Sequence, residues 1–200
     1  MDLFGNDPTG NLLPCDGTVN YFGQVLTSAD TRLFYETLLR DIPWKNDEAV
    51  IFGKRIVTAR KVAWYGDSNF SYTYSGTTKQ ALVWTDELAT LKSIVEKLTA
   101  TRFNSCLLNL YHDGSEGMAW HSDDEKSLAR NSTIASVSLG AEREFRLKHK
   151  RLNEKVSVLL ESGSLLVMRD ATQTHWLHSI PKTKKIKTPR INLTFRTMVV

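Results

Sequence analysis

The strongest constraint on the fold is a succession of short segments with strand-like alternation in the second half of the chain. Gly, Asn and Pro residues separate these segments, and their spacing is nearly regular. Many short strands with such spacing are typical of a β-sandwich or jelly roll. We therefore predict strands over residues 105–111, 133–139, 144–149, 155–160, 164–169, 174–179 and 190–199.

The first half of the chain differs, because its apolar residues recur at helical spacing. This pattern predicts helices over residues 27–40 and 86–98, with Thr27 or Ser28 capping the first and Thr85 the second. A short strand is predicted over 18–26 and a strand-like stretch over 49–64. Because helices and strands are segregated along the chain, we predict an α+β fold with outer helices on a largely antiparallel β core.

Composition and the N-terminal sequence limit the class of protein. Two hundred residues with 41% hydrophobic and 24% charged content are typical of one globular domain, which we predict over 18–200 after a flexible N-terminal extension over 1–17. The N-terminus lacks the features of a signal peptide and no apolar run could span a membrane, so an intracellular protein is expected. Cys15 and Cys106 form no C-x-x-C pair, which argues against a disulfide framework or a zinc ribbon.

Basic residues are concentrated in two runs, although the net charge is only +4. One interpretation is a patch that binds a polyanion such as nucleic acid. The alternative is a solvated lysine-rich turn without a partner. The runs consist of Lys148, Lys150 and Arg151, and of Lys182, Lys184, Lys185 and Lys187.

Two of the predicted strands combine an apolar face with a polar one. In the last strand, apolar residues alternate with polar residues that include Arg190 and Arg196. This alternation fits an outer strand with one wet face, but it also fits a strand whose polar face lines a cavity. In the second case the arginines, about 20 Å apart along the strand, would bind the two ends of an elongated anion. The strand that ends at Tyr111 repeats the pattern, with Asn109 and Tyr111 on its polar face.

A further feature is the pair His121 and Asp123, two residues apart. If they begin a strand, both side chains point to the same face and offer two metal ligands from one short segment. A second histidine would complete the two-histidine, one-carboxylate triad of non-haem Fe(II) oxygenases. His149 lies in the basic segment RLKHKR, so we expect it to be exposed or to face nucleic acid. His175 and His178 would face opposite sides of a strand, and their spacing leaves open which one is the ligand.

Taken together, these motifs resemble the AlkB family of Fe(II)- and 2-oxoglutarate-dependent dioxygenases. The order HSDDE, THWLHSIPK and RINLTFR is similar to the family pattern of H-x-D, a distant H, and R-x-N-x-T-F-R. The resemblance extends from about residue 49 to the C-terminus and includes NLYHDG and AWYGDSNFSYTYSGT. It implies a double-stranded β-helix (jelly-roll) core with Fe(II), 2-oxoglutarate and O2 as cofactors.

The resemblance also implies a residue for each part of the site. The metal ligands, which are also the catalytic residues, would be His121, Asp123 and His178. Arg190 would bind the distal carboxylate of 2-oxoglutarate, and Arg196 the carboxylate next to the iron. The further co-substrate-binding residues would be Asn109, Tyr111 and Asn192.

The activity implied by the family is oxidative demethylation of N-alkylated bases, 1-methyladenine and 3-methylcytosine, in DNA, with release of formaldehyde. The target base must leave the helix stack, so a pocket with aromatic walls is expected. By similarity, Tyr72 and Tyr74 would form one wall and His121 the other. Asp124 and Glu125 would hydrogen-bond the base edge.

Residues 51–53 resemble the apolar finger that duplex-repairing members of the family insert into the base stack. Phe52 would then be the intercalating wedge, or alternatively a core residue of an edge strand. This segment would belong to a nucleotide-recognition lid over about 45–80, beside a catalytic core over about 100–200.

The expected partner is alkylated DNA, with duplex favoured, single strand possible and the basic runs as phosphate contacts. The alternatives are the same iron chemistry on methylated RNA, lipid or protein, and a non-catalytic nucleic-acid-binding module. We expect a monomer without membrane association, in the cytoplasm if the organism is bacterial and in the nucleus if it is eukaryotic.

Overall fold

The structure, a computed structural model, describes residues 8–51, 54–67, 70–74 and 77–199, with the backbone alone at 48–51, 54–56, 71–74 and 77–79. Both long helices lie in the first half of the chain as the sequence predicts, but β1–β5 lie there too, so helices and strands are only partly segregated. The helices are α1 (Ser28–Asp41), α2 (Asp86–Thr99) and the short α3 (Thr172–His175). The strands are β1 (Thr18–Gln24), β2 (Lys45–Ile51), β3 (Lys54–Gly66), β4 (Ser71–Tyr74), β5 (Thr77–Gln80), β6 (Ser105–Tyr111), β7 (Met118–His121), β8 (Ile134–Gly140), β9 (Arg143–His149), β10 (Lys155–Leu160), β11 (Ser164–Arg169), β12 (Trp176–Ile180) and β13 (Arg190–Arg196).

The strands form two main antiparallel sheets. The larger sheet has the order β1-β11-β8-β13-β6-β3-β2, and the smaller has the order β10-β9-β12-β7. A separate hairpin pairs β4 with β5. This arrangement confirms the predicted α+β fold with a jelly-roll core. The recognition lid over about 45–80 stays a prediction.

Two apolar clusters hold the layers together. In the first, Leu38 of α1 and Leu91 of α2 pack with Leu108 of β6 on one face of the larger sheet. In the second, Leu166 of the larger sheet packs with Trp176 of the smaller sheet. The molecule therefore has three layers, in the order helices, larger sheet and smaller sheet.

The position of β13 decides between the two interpretations of its alternation. It lies in the middle of the larger sheet, between β8 and β6. Its apolar residues Ile191, Leu193 and Phe195 are fully buried in the cluster beneath the helices. Its polar residues are therefore on the face that looks toward the smaller sheet, and the outer-strand interpretation is wrong.

Most predicted elements agree closely with the observed ones, but β4, β5 and β7 are strands that the sequence patterns did not predict. The predicted strands 105–111, 155–160 and 164–169 have the observed bounds of β6, β10 and β11. The strand-like stretch 49–64 is instead the hairpin of β2 and β3, and the strand predicted at 174–179 begins only at Trp176 because α3 precedes it. The last strand ends at Arg196 rather than at residue 199.

Both long helices begin at the predicted caps. The Thr27 side chain accepts a hydrogen bond from the backbone N–H of Asp30, and Thr85 accepts one from Leu88. α1 ends at Asp41, two residues before Pro43, which cannot continue a helix. α2 ends at Thr99 and is followed by the C-cap residue Ala100, which has a left-handed backbone conformation with φ 51°.

Part of the predicted N-terminal extension contacts the sheets. Leu13 is buried in the cluster between the two sheets, and the Asn11 side-chain oxygen accepts hydrogen bonds from the N–H groups of Leu13 and Val19. The flexibility of residues 1–17 stays a prediction. Cys15 and Cys106 are both free thiols. Each helix in the described part of the chain is too short or too polar to cross a bilayer.

We expect Leu108→Ala to lower the free energy of unfolding by about 2–5 kcal/mol, because it leaves a cavity beneath the helices. Leu33→Ala is the matched control, since Leu33 lies on α1 with 61% of its surface exposed and should change the stability by less than about 0.5 kcal/mol. Urea unfolding measures both values. Equal losses from the two substitutions would contradict the assigned core.

Candidate active site

A cavity lies between the two sheets, on the polar face of β13. The larger sheet contributes polar side chains from β6 and β13, and the smaller sheet contributes residues of β7, β9 and β12. The residues that line it include every metal ligand and co-substrate-binding residue named from the sequence, namely Asn109, Tyr111, His121, Asp123, His178, Arg190, Asn192 and Arg196.

His121, Asp123 and His178 come together on one side of this cavity. Each offers one ligand atom, and these atoms all lie within 4.8 Å of one another. His121 and His178 are directly opposite in the pairing of β7 with β12, and their ring centroids are 4.2 Å apart. Two imidazole nitrogens and one carboxylate oxygen are a donor set that suits a divalent iron.

Asp123 reaches this cluster by a different route from the one predicted. β7 ends at His121, so the two residues do not share a strand face, and the expected alternation is wrong. Asp123 instead lies in the turn that follows, where its backbone N–H donates a hydrogen bond of 2.9 Å to the side-chain oxygen of Gln173. Gln173, on α3, is a residue that the sequence patterns did not reveal.

An irregularity in β7 orients His121. The strand has three steps between Met118 and His121 where its partner β12 has two between Ile180 and His178, so β7 is bulged there. His121 Nδ1 lies 2.9 Å from the carbonyl oxygen of Ala119, within the same segment. A proton on Nδ1 satisfies this bond and leaves Nε2 free as the ligand atom.

The electrostatics of the cluster favour the protonation states that a metal requires. Burial raises the pKa of Asp123, but the charges of Arg196 and the two histidines outweigh burial, so the pKa lies below its usual range. Burial lowers the pKa of His178 to about 4 against the opposing charge of Asp123. At neutral pH the carboxyl group is therefore ionised and the His178 imidazole is neutral, and both can donate electron pairs.

The opposite side of the cavity is cationic. Arg190 is 1% exposed, and its Nη2 donates to Ser138 Oγ at 2.9 Å and to Asn192 Oδ1 at 2.7 Å. Among the described residues, its Nε and Nη1 and the Nε of Arg196 have no hydrogen-bond partner, and the acceptor Asn109 Oδ1 is also unpaired. Buried polar groups are normally satisfied, so the free donors of the two arginines fit a bound anion.

Arg196 connects the two sides of the cavity. Its Nη2 donates a hydrogen bond of 2.8 Å to Asp123 Oδ1, which is also an ion pair. An elongated dicarboxylate fits this arrangement, with Arg190 at one end and Arg196 beside the metal-type cluster at the other. The donors present therefore match the 2-oxoglutarate that the resemblance implies.

The predicted substrate-binding residues are only partly described. Asp124 and Glu125 are exposed, and Asp124 Oδ2 accepts a hydrogen bond of 3.1 Å from Ser122 Oγ. Tyr72 and Tyr74 belong to β4, but their side chains lie outside the described part of the structure. Phe52 lies outside the described residues altogether. The roles of these residues stay predictions.

The two remaining downstream histidines lie outside the cavity. His175 ends α3, not a strand, and its ring stacks on that of His149 with centroids 6.0 Å apart. His149 is 7% exposed, so its expected exposure is wrong. Its Nδ1 accepts hydrogen bonds from the N–H groups of Arg151 and Leu152 and so carries no proton.

His149 also belongs to a second group of side chains of the kinds that bind metals, with Cys15 and Asp16. Because its Nδ1 is an acceptor, the proton of the neutral ring is on Nε2, which lies 3.2 Å from Asp16 Oδ2. A nitrogen that carries a proton cannot bind a metal. This group is therefore a structural contact between the N-terminal segment and β9.

Two serines that the sequence analysis missed support the polar side of the cavity, and Ser136 also lines it. Ser136 Oγ donates to Asn192 Oδ1 at 2.9 Å, and Ser138 Oγ accepts from Arg190. Both lie on β8, whose sequence IASVSLG alternates serine with apolar residues. The same two-residue period that marked β13 would have found them.

Comparisons with known proteins agree with this geometry. A sequence profile described as the 2OG-Fe(II) oxygenase superfamily matches residues 18–196. The chain is 38% identical to the DNA oxidative demethylase ALKBH2 of Bos taurus, over 94% of this chain and 69% of the relative. It is 39% identical to the alpha-ketoglutarate-dependent dioxygenase alkB homolog 3 of Bos taurus, over 96% of this chain and 68% of the relative. The solved structure of OsALKBH1 shares the fold with a TM-score of 0.62 and 17% identity, and the match covers 92% of this chain and 98% of that one.

We expect His178→Ala to weaken the binding of a divalent metal by at least about 100-fold, since even residues that only support a ligand contribute 10–100-fold. His175→Ala is the control from the same segment and should bind the metal as the unmodified protein does. Titration calorimetry with Mn(II) under anaerobic conditions measures both affinities. A loss in the His175 variant with normal binding in the His178 variant would contradict the site.

Proposed function

The chain belongs to the AlkB family of the 2OG-Fe(II) oxygenase superfamily, and we propose that it oxidatively demethylates N-alkylated bases in DNA. As a member of this family it is a dioxygenase that depends on Fe(II) and 2-oxoglutarate. The proposed lesions are 1-methyladenine and 3-methylcytosine, and the proposed process is direct-reversal repair. The name of the bovine relative, DNA oxidative demethylase, supports this substrate class.

One observation carries the proposal. A single buried cavity has a two-histidine, one-carboxylate cluster on one side and unpartnered arginine donors on the other. We assign His121, Asp123 and His178 to the iron. We assign Arg190, with Asn109, Tyr111 and Asn192, to the distal carboxylate of 2-oxoglutarate, and Arg196 to the end next to the metal.

The residues of the chain prepare the site for the oxidation. Arg196 holds the Asp123 carboxylate in place and keeps it ionised, while burial keeps His178 neutral. The bond from His121 Nδ1 to the Ala119 carbonyl directs Nε2 toward the same point. When bound, Fe(II) with 2-oxoglutarate and O2 supplies the oxidation of the N-methyl group, which leaves as formaldehyde.

The entrance to the cavity supports a base as the substrate. The His121 side chain is 35% exposed, so its ring can contact the metal and also form one wall for an extruded base. Asp124 and Glu125 follow directly and are exposed, so they can hydrogen-bond the base edge. Tyr72 and Tyr74 are proposed as the opposite wall.

Duplex DNA is the proposed preferred form of the substrate, acted on by a monomer, in the bacterial cytoplasm or in the nucleus. Phe52 is proposed as the wedge that fills the gap left by the extruded base. The exposed lysines of the loop before β13 are proposed phosphate contacts, and they are Lys182, Lys184, Lys185 and Lys187.

We expect the protein to release formaldehyde from an oligonucleotide that contains 1-methyladenine or 3-methylcytosine, in the presence of Fe(II), ascorbate and 2-oxoglutarate. Asp123→Ala should reduce release to background because it removes a metal ligand, while His175→Ala should retain activity. Mass spectrometry of the oligonucleotide measures the reaction. Persistent methyl groups in DNA but not in RNA would favour the RNA substrate, and the absence of any succinate would favour a non-catalytic binding module.

We expect Phe52→Ala to reduce the demethylation of duplex DNA by roughly tenfold or more, since an apolar wedge offsets an unstacking cost of a few kcal/mol. Single-stranded DNA has no stack to fill, so its demethylation should be unchanged. Val57→Ala is the matched control, because Val57 is an apolar residue of β3 with 59% of its surface exposed. Equal losses on both forms of DNA would contradict the wedge.

A further inference from the structure

Arg143 is a buried arginine whose hydrogen-bond partners are all backbone carbonyls. It begins β9 and is 1% exposed. Its Nη2 donates to the carbonyls of Glu116 and Pro181, both at 2.8 Å, and its Nη1 donates to that of Asp113 at 3.4 Å. Asp113 and Glu116 belong to the turn after β6, and Pro181 begins the loop before β13. Arg143 therefore joins the two loops at this end of the cavity.

The two loops also contact each other directly. The Gly114 N–H donates to the Ile186 carbonyl at 3.0 Å, and the Thr183 N–H donates to the Gly114 carbonyl at 2.7 Å. β6 ends at Tyr111, immediately before the first loop, and β13 begins with Arg190, just after the second. The loops held by Arg143 thus fix the strand ends that carry two of the proposed 2-oxoglutarate-binding residues.

Tyr111 links Arg143 to the cavity. The Arg143 guanidinium carbon is 5.8 Å from the centroid of the Tyr111 ring, and that of Arg190 is 5.5 Å from the same centroid. Tyr111 and Arg190 line the cavity. A third arginine, Arg60, is 6.0 Å from this ring, but it is paired with the carboxylate of Asp47.

Neither Arg143 nor Arg190 forms an ion pair with a carboxylate in the described part of the chain, although the charges of Asp113 and Glu116 act favourably on Arg143 from a distance. The nearest acidic side chains have other partners, because Asp113 accepts the Ser115 N–H and Glu116 binds His112 through both of its oxygens. Burial lowers the pKa of Arg190 to about 10, and the neighbouring charge of Arg143 contributes to this decrease, yet the group stays charged at neutral pH. Two buried cations side by side are unfavourable without an anion.

We propose that Arg143 is a positioning residue for 2-oxoglutarate. It holds Tyr111 and both loops in place around the distal carboxylate. It also supplies a second positive charge behind Tyr111, so that the site selects a 2-oxo acid with an anionic distal end. This inference rests on the 2-oxoglutarate site of the proposed function.

The test compares two ligands that differ only at the distal end. In 2-oxopentanoate a methyl group replaces the distal carboxylate of 2-oxoglutarate. We expect Arg143→Gln to raise the Kd of 2-oxoglutarate by about tenfold or more, as expected for the loss of a buried charge near an anion, and that of 2-oxopentanoate by less than about threefold. Arg146→Gln is the matched control, because Arg146 lies on the same strand, is exposed and, among the described residues, forms an ion pair with Glu144 alone. Titration calorimetry of the full-length, Mn(II)-loaded protein without DNA gives the affinities.

The ratio of the two affinities distinguishes a role of Arg143 in selecting an anionic ligand from a role that only supports the loops. Equal weakening of both ligands, or unchanged binding of 2-oxoglutarate, would overturn the proposal. If circular dichroism shows that Arg143→Gln is unfolded, Arg143→Lys takes its place. A lysine keeps the positive charge, so a preserved preference for 2-oxoglutarate supports the proposal and a lost preference overturns it.

The titration requires neither nucleic acid nor turnover, so it tests the role of Arg143 independently of the proposed function. A normal preference for 2-oxoglutarate that depends on Arg143, without release of formaldehyde from methylated DNA, would overturn the substrate alone. An active demethylase whose preference for 2-oxoglutarate is unaffected in Arg143→Gln would overturn the role of Arg143 alone.

Discussion

The burial of β13 on both faces is the constraint on which the rest of the structure depends. A central strand with helices on one side and a second sheet on the other has almost no contact with bulk water, and only Arg196 at the end of β13 is partly exposed. Its apolar residues satisfy this condition by packing, but its polar residues need hydrogen-bond partners or a ligand. Arg190, Asn192 and Thr194 bond to one another or to serines of β8, and the donors that remain open all face the cavity.

Because β13 is buried between the helices and the smaller sheet, the two sheets contribute different parts of the site. The smaller sheet and the turn after β7 contribute the metal-type ligands, and the larger sheet contributes the cations that fit a dicarboxylate. The Arg196–Asp123 pair crosses between the two groups at 2.8 Å. Because both partners are largely buried, their charges interact strongly, and Arg196 keeps the Asp123 carboxylate ionised and in position.

Local patterns predicted most of the elements because each long segment has one clear period. The two-residue period of β6 and β13 also predicted which side chains share the cavity. The turn that carries Asp123 could not be predicted in this way, since its position depends on Gln173, fifty residues later in the chain. The burial of His149 was missed for a similar reason: a basic neighbourhood in sequence says nothing about Asp16 and the backbone groups that surround the ring. The role of Arg143 could not be predicted from a sequence pattern, because its partners are backbone carbonyl groups, which every residue possesses.

The edge position of β7 gives the metal a structural role in addition to its chemistry. β7 is four residues long, is bulged, and pairs with β12 along one side only, yet it carries His121. A metal bound by His121, Asp123 and His178 would be a second attachment of β7 to the rest of the fold, in addition to its pairing with β12. Loss of iron would then allow β7, the edge strand of the smaller sheet, to detach locally. Short, weakly held edge strands are where amide protons exchange first and where aggregation begins. Iron depletion is therefore a hazard to the folded state as well as to activity.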